Sequence, residues 1–159
     1  APHIGARMAE YVNHAEIEET FHQPLKPEIA RLCLRMAAPR PDFLFTALAG
    51  RRFTYDRNLD PPSVSAWKQG LFPLLRARRL GALILQFPWA FKFNRENRDF
   101  LITLRRTFHE FPLAAEFRHE SWLAPEAVTT LVDYRVGFVN VDIPQFFREF
   151  HPAPSLPFR

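Results

Sequence analysis

Sulfur-containing residues and glycine are scarce in this sequence. Its 159 residues include one cysteine, Cys33, two methionines and five glycines. A single cysteine excludes an internal disulfide and any metal cluster built from several cysteines, and it is typical of a protein from a reducing compartment. We therefore expect a cytoplasmic protein.

Long hydrophobic runs are missing as well. No apolar run approaches the roughly 20 residues that a membrane-spanning helix needs, and no basic-then-apolar leader opens the chain, so we expect no membrane partner. The P-loop, GxGxxG, HExxH and GxSxG motifs are absent. None of these common motifs is therefore available to identify a reaction.

Basic residues and aromatic rings are in surplus. The formal net charge is +4, and 17 of the residues are phenylalanine. A basic balance of this size favours an anionic ligand, either a small molecule or a nucleotide-type ligand. It is too small to establish nucleic-acid binding.

Short apolar runs alternate with helical patterns along the chain. Strands are predicted over 14–19, 42–49, 81–87, 113–118 and 136–142, and helices over 26–37, 61–79, 94–111 and 124–134. In the helix over 26–37 an apolar stripe contains Ile29 and Leu32, and Pro73 is expected to bend or break the helix over 61–79. The tail over 143–159 is rich in proline and phenylalanine and has no clear period.

This alternation predicts an α/β fold with a parallel sheet in one domain over 1–159. The strand spacing is close to the roughly 31 residues per unit of a (β/α)8 barrel, of which the chain would supply about five units. The sheet is therefore either open or part of a TIM-like barrel. A partial barrel exposes sheet edges, so a partner chain, missing segments or the tail should cover them.

Polar residues collect at the carboxyl ends of the predicted strands. Glu16 and Glu18 share one strand face, Glu116 and Arg118 share another, and Gln86 ends a run of aliphatic residues. Ligands bind at that edge in parallel α/β folds, so we expect these residues to gather at one rim and line a pocket. The alternative is that the charged residues pair as structural ties.

Four residues beyond the strand ends are ambiguous in the same way. His119 is either a proton carrier, a metal ligand or a structural residue, and Trp122 either caps the barrel mouth or stacks on a substrate. Arg51 and Arg52 follow another strand and either clamp a phosphate or carboxylate or lie in a solvated loop. The stretch "QFPWAFKF" (86–93) either stacks a base or folds over the rim.

Four stretches together resemble the YecE-like family, known as domain of unknown function 72. They are "AEIEETFH" (15–22), "FLFTALAGRRFTY" (43–55), "LGALILQFPWAF" (80–91) and "AEFRHESW" (115–122). The resemblance implies a TIM-like barrel without an assigned reaction, of which this chain would hold about strands two to six. The positions that match the family pattern are Glu16, Thr20, Gln86, Glu116, Arg118, His119 and Trp122.

The chain departs from the family pattern at several of its polar positions. Leu48 stands where the family tends to have lysine, Tyr55 where it has histidine, Glu18 in place of asparagine and His22 in place of tyrosine. Loss of the lysine and the histidine favours a degenerate, inactive relative or a non-catalytic binding module.

Our leading functional hypothesis is a pocket for an anionic ligand at the strand carboxyl ends, with hydrolysis or isomerisation as the reaction. Glu116 and Glu16 would be the acid/base carboxylates, Arg118 would hold the anion and His119 would move a proton. The further ligand contacts would be Gln86, Thr20, Trp122 and Arg52. A divalent metal on the glutamates is compatible with the sequence, although no ligand spacing requires one. A competing hypothesis is single-stranded nucleic-acid binding through "QFPWAFKFNR" (86–95).

Overall fold

A computed structural model describes residues 12–139 and shows helices and strands in alternation. The strands are β1 (His14–Ile17), β2 (Leu44–Leu48), β3 (Leu80–Gln86), β4 (Leu113–Glu116) and β5 (Val136–Val139). The helices are α1 (Pro27–Met36), α2 (Arg51–Thr54), α3 (Pro61–Arg76), α4 (Arg95–Thr107) and α5 (Pro125–Asp133). The strands form one sheet in chain order, with β1 and β2, and β4 and β5, paired in parallel. The predicted α/β class is confirmed.

Three details differ from the sequence-based expectations. Helix α3 continues through Pro73 and ends at Arg76, so the proline does not break it. Strand β1 ends at Ile17 and a 3-10 turn begins at Glu18, so Glu18 is not a strand residue facing the same way as Glu16. Strand β4 likewise ends at Glu116, which leaves Arg118 in the following loop.

The chain divides into two compact units, one ending at Leu83 and the other beginning at Ile84. In the first unit, aliphatic and aromatic residues of β2 and α3 form the core, including Phe45, Ala47, Trp67 and Leu71. Helix α3 begins at Pro61 because the Asp60 carboxylate accepts a hydrogen bond of 3.0 Å from the Ser63 backbone N–H. The apolar stripe of α1 is not buried, since Ile29 and Leu32 are each 42% exposed.

The second unit buries the inner face of α4 and the short strand β4. Leu101, Leu104 and Phe108 are almost fully buried, as are all residues of β4 before Glu116. The Asn94 side chain caps α4 by accepting from the Asn97 backbone N–H at 2.8 Å. None of the helices within 12–139 is long and apolar enough to cross a membrane. The predicted end of the last strand and the tail over 143–159 lie outside the described residues.

Candidate functional site

Three of the predicted site residues come together at the carboxyl end of β4. The side-chain amide of Gln86 donates to both carboxylate oxygens of Glu116, at 3.0 and 3.1 Å. The Nε of Arg118 lies 3.6 Å from Oε1 of the same carboxylate. The Glu116 side chain is only 13% exposed, whereas that of Arg118 is 41% exposed. The carboxylate is therefore held in one orientation, while part of the guanidinium faces solvent.

The Nε of Arg118 is itself buried, and it makes no hydrogen bond within the part of the chain that the structure describes. At 3.6 Å its contact with Glu116 is an ion pair rather than a hydrogen bond. The predicted alternative of a structural ion pair is thus present, but within residues 12–139 it leaves most of the guanidinium N–H groups without a hydrogen bond. A guanidinium has five N–H groups, so Arg118 retains the capacity to bind an anion.

His119 is anchored to the turn that follows β4. Its Nδ1 lies 2.9 Å from the Ser121 hydroxyl oxygen and accepts a hydrogen bond of 3.2 Å from the Ser121 backbone N–H. The Ser121 hydroxyl in turn accepts from the Phe93 backbone N–H at 2.7 Å. The ring of Trp89, which is 50% exposed, packs edge-on against the imidazole with a centroid distance of 5.5 Å. One ring nitrogen of His119 is therefore engaged in structure.

Trp122 is fully buried in an aromatic stack. Its ring lies parallel to those of Phe117 and Phe91, at centroid distances of 3.9 and 5.4 Å. Its indole N–H donates to the Phe91 backbone carbonyl at 2.7 Å. Of the two predicted roles for Trp122, these contacts favour packing.

Thr20 has the contacts of a structural tie within the first unit. It is fully buried, its hydroxyl donates to the Ile17 carbonyl at 2.7 Å, and the same oxygen accepts from the Leu48 backbone N–H at 2.8 Å. This hydroxyl joins the end of β1 to the end of β2. Glu16 lies near the end of β1 and is exposed, in register with Thr46 of β2. Its predicted place on a rim shared with Glu116 stays a prediction.

Arg52 is placed by the single helical turn α2 rather than by a loop. Its Nη2 donates to an Asp60 carboxylate oxygen at 2.5 Å. The pKa of Asp60 lies below its ordinary value, chiefly because the Ser63 side chain and backbone donate to the carboxylate and also because the Arg52 charge is near. The neighbouring Arg51 pairs with Asp56 at 3.1 Å.

Arg51 and Arg52 line a cleft of about 270 Å³ in the first unit, together with Phe21, His22, Asp56 and Trp67. The two arginines were predicted as one of two alternatives, an anion clamp or part of a solvated loop, whereas His22 and Trp67 were not predicted as site residues. The sequence feature that could have pointed to His22 is its departure from the family pattern, in which tyrosine stands at this position. Trp67 lies on the buried face of helix α3.

A metal site is not evident in the described range. Residues 12–139 contain no group of three or more His, Cys, Asp or Glu side chains placed to hold a metal ion. The side chain that contacts the Glu116 carboxylate most closely is the Gln86 amide, which donates through its nitrogen. The Glu116 carboxylate therefore accepts hydrogen bonds from a side chain of the protein.

Parallel strands, intervening helices and polar residues at the strand carboxyl ends define an α/β protein of the TIM-barrel type. The chain belongs to the DUF72 family, described as "Protein of unknown function DUF72", whose model matches residues 6–156. The predicted YecE-like membership is confirmed.

Solved structures and one curated protein agree with this membership. A DUF72 family protein from Enterococcus faecalis V583 superimposes with a TM-score of 0.81 at 21% identity, over 98% of this chain and 64% of that one. A DUF72 family protein from Thermotoga maritima MSB8 gives a TM-score of 0.71 at 26% identity, over 96% and 60% of the two chains. The UPF0759 protein YunF of Bacillus subtilis is 35% identical over 60 residues, which are 38% of this chain and 21% of YunF. The chain thus spans less than two thirds of the length of these relatives.

Proposed function

We propose that this DUF72 protein binds a small anionic ligand at the carboxyl end of β4, where Glu116 serves as an acid/base group for hydrolysis or isomerisation. The observation that carries the proposal is the contact set of Glu116, with Gln86 on both carboxylate oxygens and Arg118 beside one of them. A cytoplasmic location belongs to the same proposal and is supported by the single cysteine.

The carboxylate and the guanidinium have different roles in this proposal. Gln86 orients the Glu116 carboxylate without neutralising it, so the group retains lone pairs for a substrate proton or hydroxyl. Arg118 is exposed enough to hold a phosphate or carboxylate of the ligand next to that group. An anion bound there lies within reach of the acid/base group, which is the arrangement that either reaction needs.

The other predicted residues have supporting roles in this proposal. His119 moves the proton through the ring nitrogen that Ser121 does not engage. Trp122 acts on the ligand only through the segment that it holds in place, because its side chain is fully buried. Arg52 is a cationic contact for a ligand of the first unit.

Binding assays on matched arginine variants test the proposal. We expect sugar phosphates, with and without divalent metal ions, to raise the melting temperature of wild type and of Arg95→Gln, which removes an almost fully exposed charge of the same unit. Arg118→Gln should weaken binding at least tenfold, and Glu116→Gln should retain binding but lose turnover. Equal ligand shifts in wild type and Arg118→Gln would refute the proposed role of Arg118.

A non-catalytic binding module is the competing proposal, favoured by Leu48 and Tyr55 in place of the family lysine and histidine. Leu48 is buried, and its backbone N–H is bonded to Thr20, so an apolar contact stands where a charged side chain would be. Saturable binding without turnover of any phosphate ester would support this proposal against the enzymatic one.

Single-stranded nucleic-acid binding has one observation in its favour, the half-exposed ring of Trp89, which the basic residues Lys92 and Arg95 follow closely in the sequence. Base stacking on such a ring is worth about 1–3 kcal/mol per base. Oligothymidylate should then quench tryptophan fluorescence in a salt-dependent manner, and Trp89→Ala should abolish the effect. Unchanged quenching in Trp89→Ala would exclude Trp89 as the stacking ring.

A further inference from the structure

The cleft of the first unit is built from segments that directly follow strands β1 and β2. Phe21 and His22 follow β1, Arg51, Arg52 and Asp56 follow β2, and Trp67 comes from helix α3. Its volume of about 270 Å³ corresponds to about nine water molecules at ~30 Å³ each. This volume lies just below the usual range for ligand pockets and suits a small ligand such as a phosphorylated sugar.

Aromatic rings give the cleft a rigid wall. The Trp67 indole N–H donates to the Thr20 carbonyl at 2.9 Å, and its ring packs edge-on against Phe53 at 5.0 Å. Phe21 packs edge-on against Tyr55 at 5.7 Å. Because these rings are held by contacts outside the cleft, they stay in place whether or not the cleft is occupied.

Polar side chains of both signs complete the lining. Arg51 pairs with Asp56 in an exposed ion pair, and its guanidinium carbon lies 5.2 Å from the centre of the Tyr55 ring. Arg52 uses Nη2 for Asp60. Its Nε is buried and has no hydrogen-bond partner among residues 12–139, but the side chain as a whole is 37% exposed. His22 is exposed. Within residues 12–139, Arg51 and Arg52 therefore each keep N–H groups that make no hydrogen bond, and Asp56 supplies an acceptor beside them.

We propose that this cleft binds a small phosphorylated sugar, with the phosphate held by Arg52 and His22. A phosphate monoester presents three strong acceptor oxygens, which match donors on several cationic side chains better than a carboxylate does. The sugar hydroxyls donate to the Asp56 carboxylate, and the sugar ring lies against Phe21. Neither Glu116 nor Arg118 takes part in this site. A result that refutes one of the two proposed sites therefore does not refute the other.

The cleft contains its own spectroscopic reporter. Trp67 is one of three tryptophans in the chain and lines the cleft, whereas Trp89 and Trp122 belong to the second unit. Titration with ribose 5-phosphate, followed by the three indole ¹H–¹⁵N signals, should shift the Trp67 signal saturably. Ligand bound at the β4 end would instead shift the signals of Trp89 or Trp122.

Matched variants separate a specific site from general attraction to a basic protein. Arg52→Gln and His22→Gln should each weaken ribose 5-phosphate binding at least tenfold, while Arg31→Gln, which removes an exposed charge of the same unit, should not change it. Because Arg52 contacts the residue that caps α3, its variant is checked for folding by circular dichroism. The exposed His22 provides the test if Arg52→Gln fails to fold.

Two comparison ligands decide what the cleft recognises. Ribose should bind at least tenfold more weakly than ribose 5-phosphate if the phosphate is the anchor, and inorganic phosphate should also bind more weakly if the sugar contacts Asp56 and Phe21. A Trp67 signal that does not move, equal affinity in His22→Gln and Arg31→Gln, or equal affinity for inorganic phosphate and ribose 5-phosphate would overturn the proposal.

Discussion

At the scale of single residues, two buried threonines of the first unit show that the contribution of a hydroxyl to stability depends on its hydrogen-bond partners. Thr20 uses its hydroxyl as donor and acceptor between the ends of β1 and β2. Thr54 is equally buried, but its hydroxyl oxygen has no hydrogen-bond partner in the described part of the chain. The same side chain therefore stabilises one position and costs free energy at the other.

We predict that Thr20→Val lowers the free energy of unfolding by about 1–3 kcal/mol, because the Leu48 N–H and the Ile17 carbonyl both lose their partner. Thr54→Val should be neutral or stabilising, since it removes an unsatisfied hydroxyl while keeping the volume. Urea denaturation of both variants measures the difference. Equal losses in the two variants would show that the hydroxyl of Thr20 is not the tie that its contacts indicate.

Among the elements, helix α3 comes closest to a neighbouring segment at Gly70. A Cβ added there would lie 2.0 Å from the backbone carbonyl oxygen of Leu25. That contact is impossible without moving backbone, so the glycine is required by the close approach. At Gly81 of β3 the nearest atom to an added Cβ is 3.5 Å away, which is ordinary contact.

Gly70→Ala should therefore destabilise the chain by about 1–3 kcal/mol, the cost typical of overpacking. This outcome runs against helix propensity, which alone would favour alanine by about 1 kcal/mol. Gly81→Ala serves as the matched control and should leave the urea midpoint unchanged or slightly higher. A stabilised Gly70→Ala variant would contradict the close approach.

Helix α3 also accommodates a proline in its interior. Pro73 has no N–H to donate to the preceding turn, yet the helix continues to Arg76 and the Ala77 N–H bonds to the Pro73 carbonyl. Burial of Leu71 and Leu74 on either side offsets the cost of the proline. The rule that an interior proline bends or breaks a helix considers only local sequence. In α3, tertiary packing keeps the helix continuous.

We predict that Pro73→Ala stabilises the chain by about 2 kcal/mol, the helix-propensity gain less the added entropy of the unfolded chain. Pro61→Ala, at the first position of the same helix, should give no gain, because proline is suited to that position. Thermal melts of the two variants compare them directly. A lower melting temperature for Pro73→Ala would mean that the ring makes packing contacts that matter more than the missing hydrogen bond.

At the scale of the whole molecule, stability against acid should depend on Asp60, which joins helix α3 to Arg52. Its pKa in the folded chain is lower than its ordinary 3.8, mainly because Ser63 donates to the carboxylate. A carboxyl group with a lowered pKa stabilises the fold above its ordinary pKa, and that contribution is lost as the pH falls through the folded value.

Asp60→Asn should therefore be less stable than wild type at neutral pH, and the gap between the two urea midpoints should shrink as the pH falls below about 3.8. The Asn oxygen still caps the helix, so the variant removes the charge and the hydrogen bond from Arg52 while it keeps the cap. Asp42→Asn, which removes an exposed carboxylate of the same unit, corrects for the change in net charge. A gap that stays constant from neutral to acidic pH would show that the Asp60 charge does not contribute.

Much of this organisation follows from local pattern. The strands and long helices were predictable because apolar periodicity depends only on which face each element buries. The polar strand ends were predictable because Gln86 and Glu116 interrupt otherwise apolar runs. Short turns such as Arg51–Thr54 were not, because four residues carry too little periodicity to separate a helical turn from a loop.

Local order in the sequence was enough to establish the α/β class, the family and the residues at which polar chemistry interrupts buried strands, because periodicity and motifs are properties of neighbouring positions. The pairing of Gln86 with Glu116, the buried tie made by Thr20 and the cleft that joins His22 to Arg52 and Trp67 depend on segments far apart in the chain. Such contacts arise when elements pack, since distance and burial are set by the folded backbone and not by spacing along it.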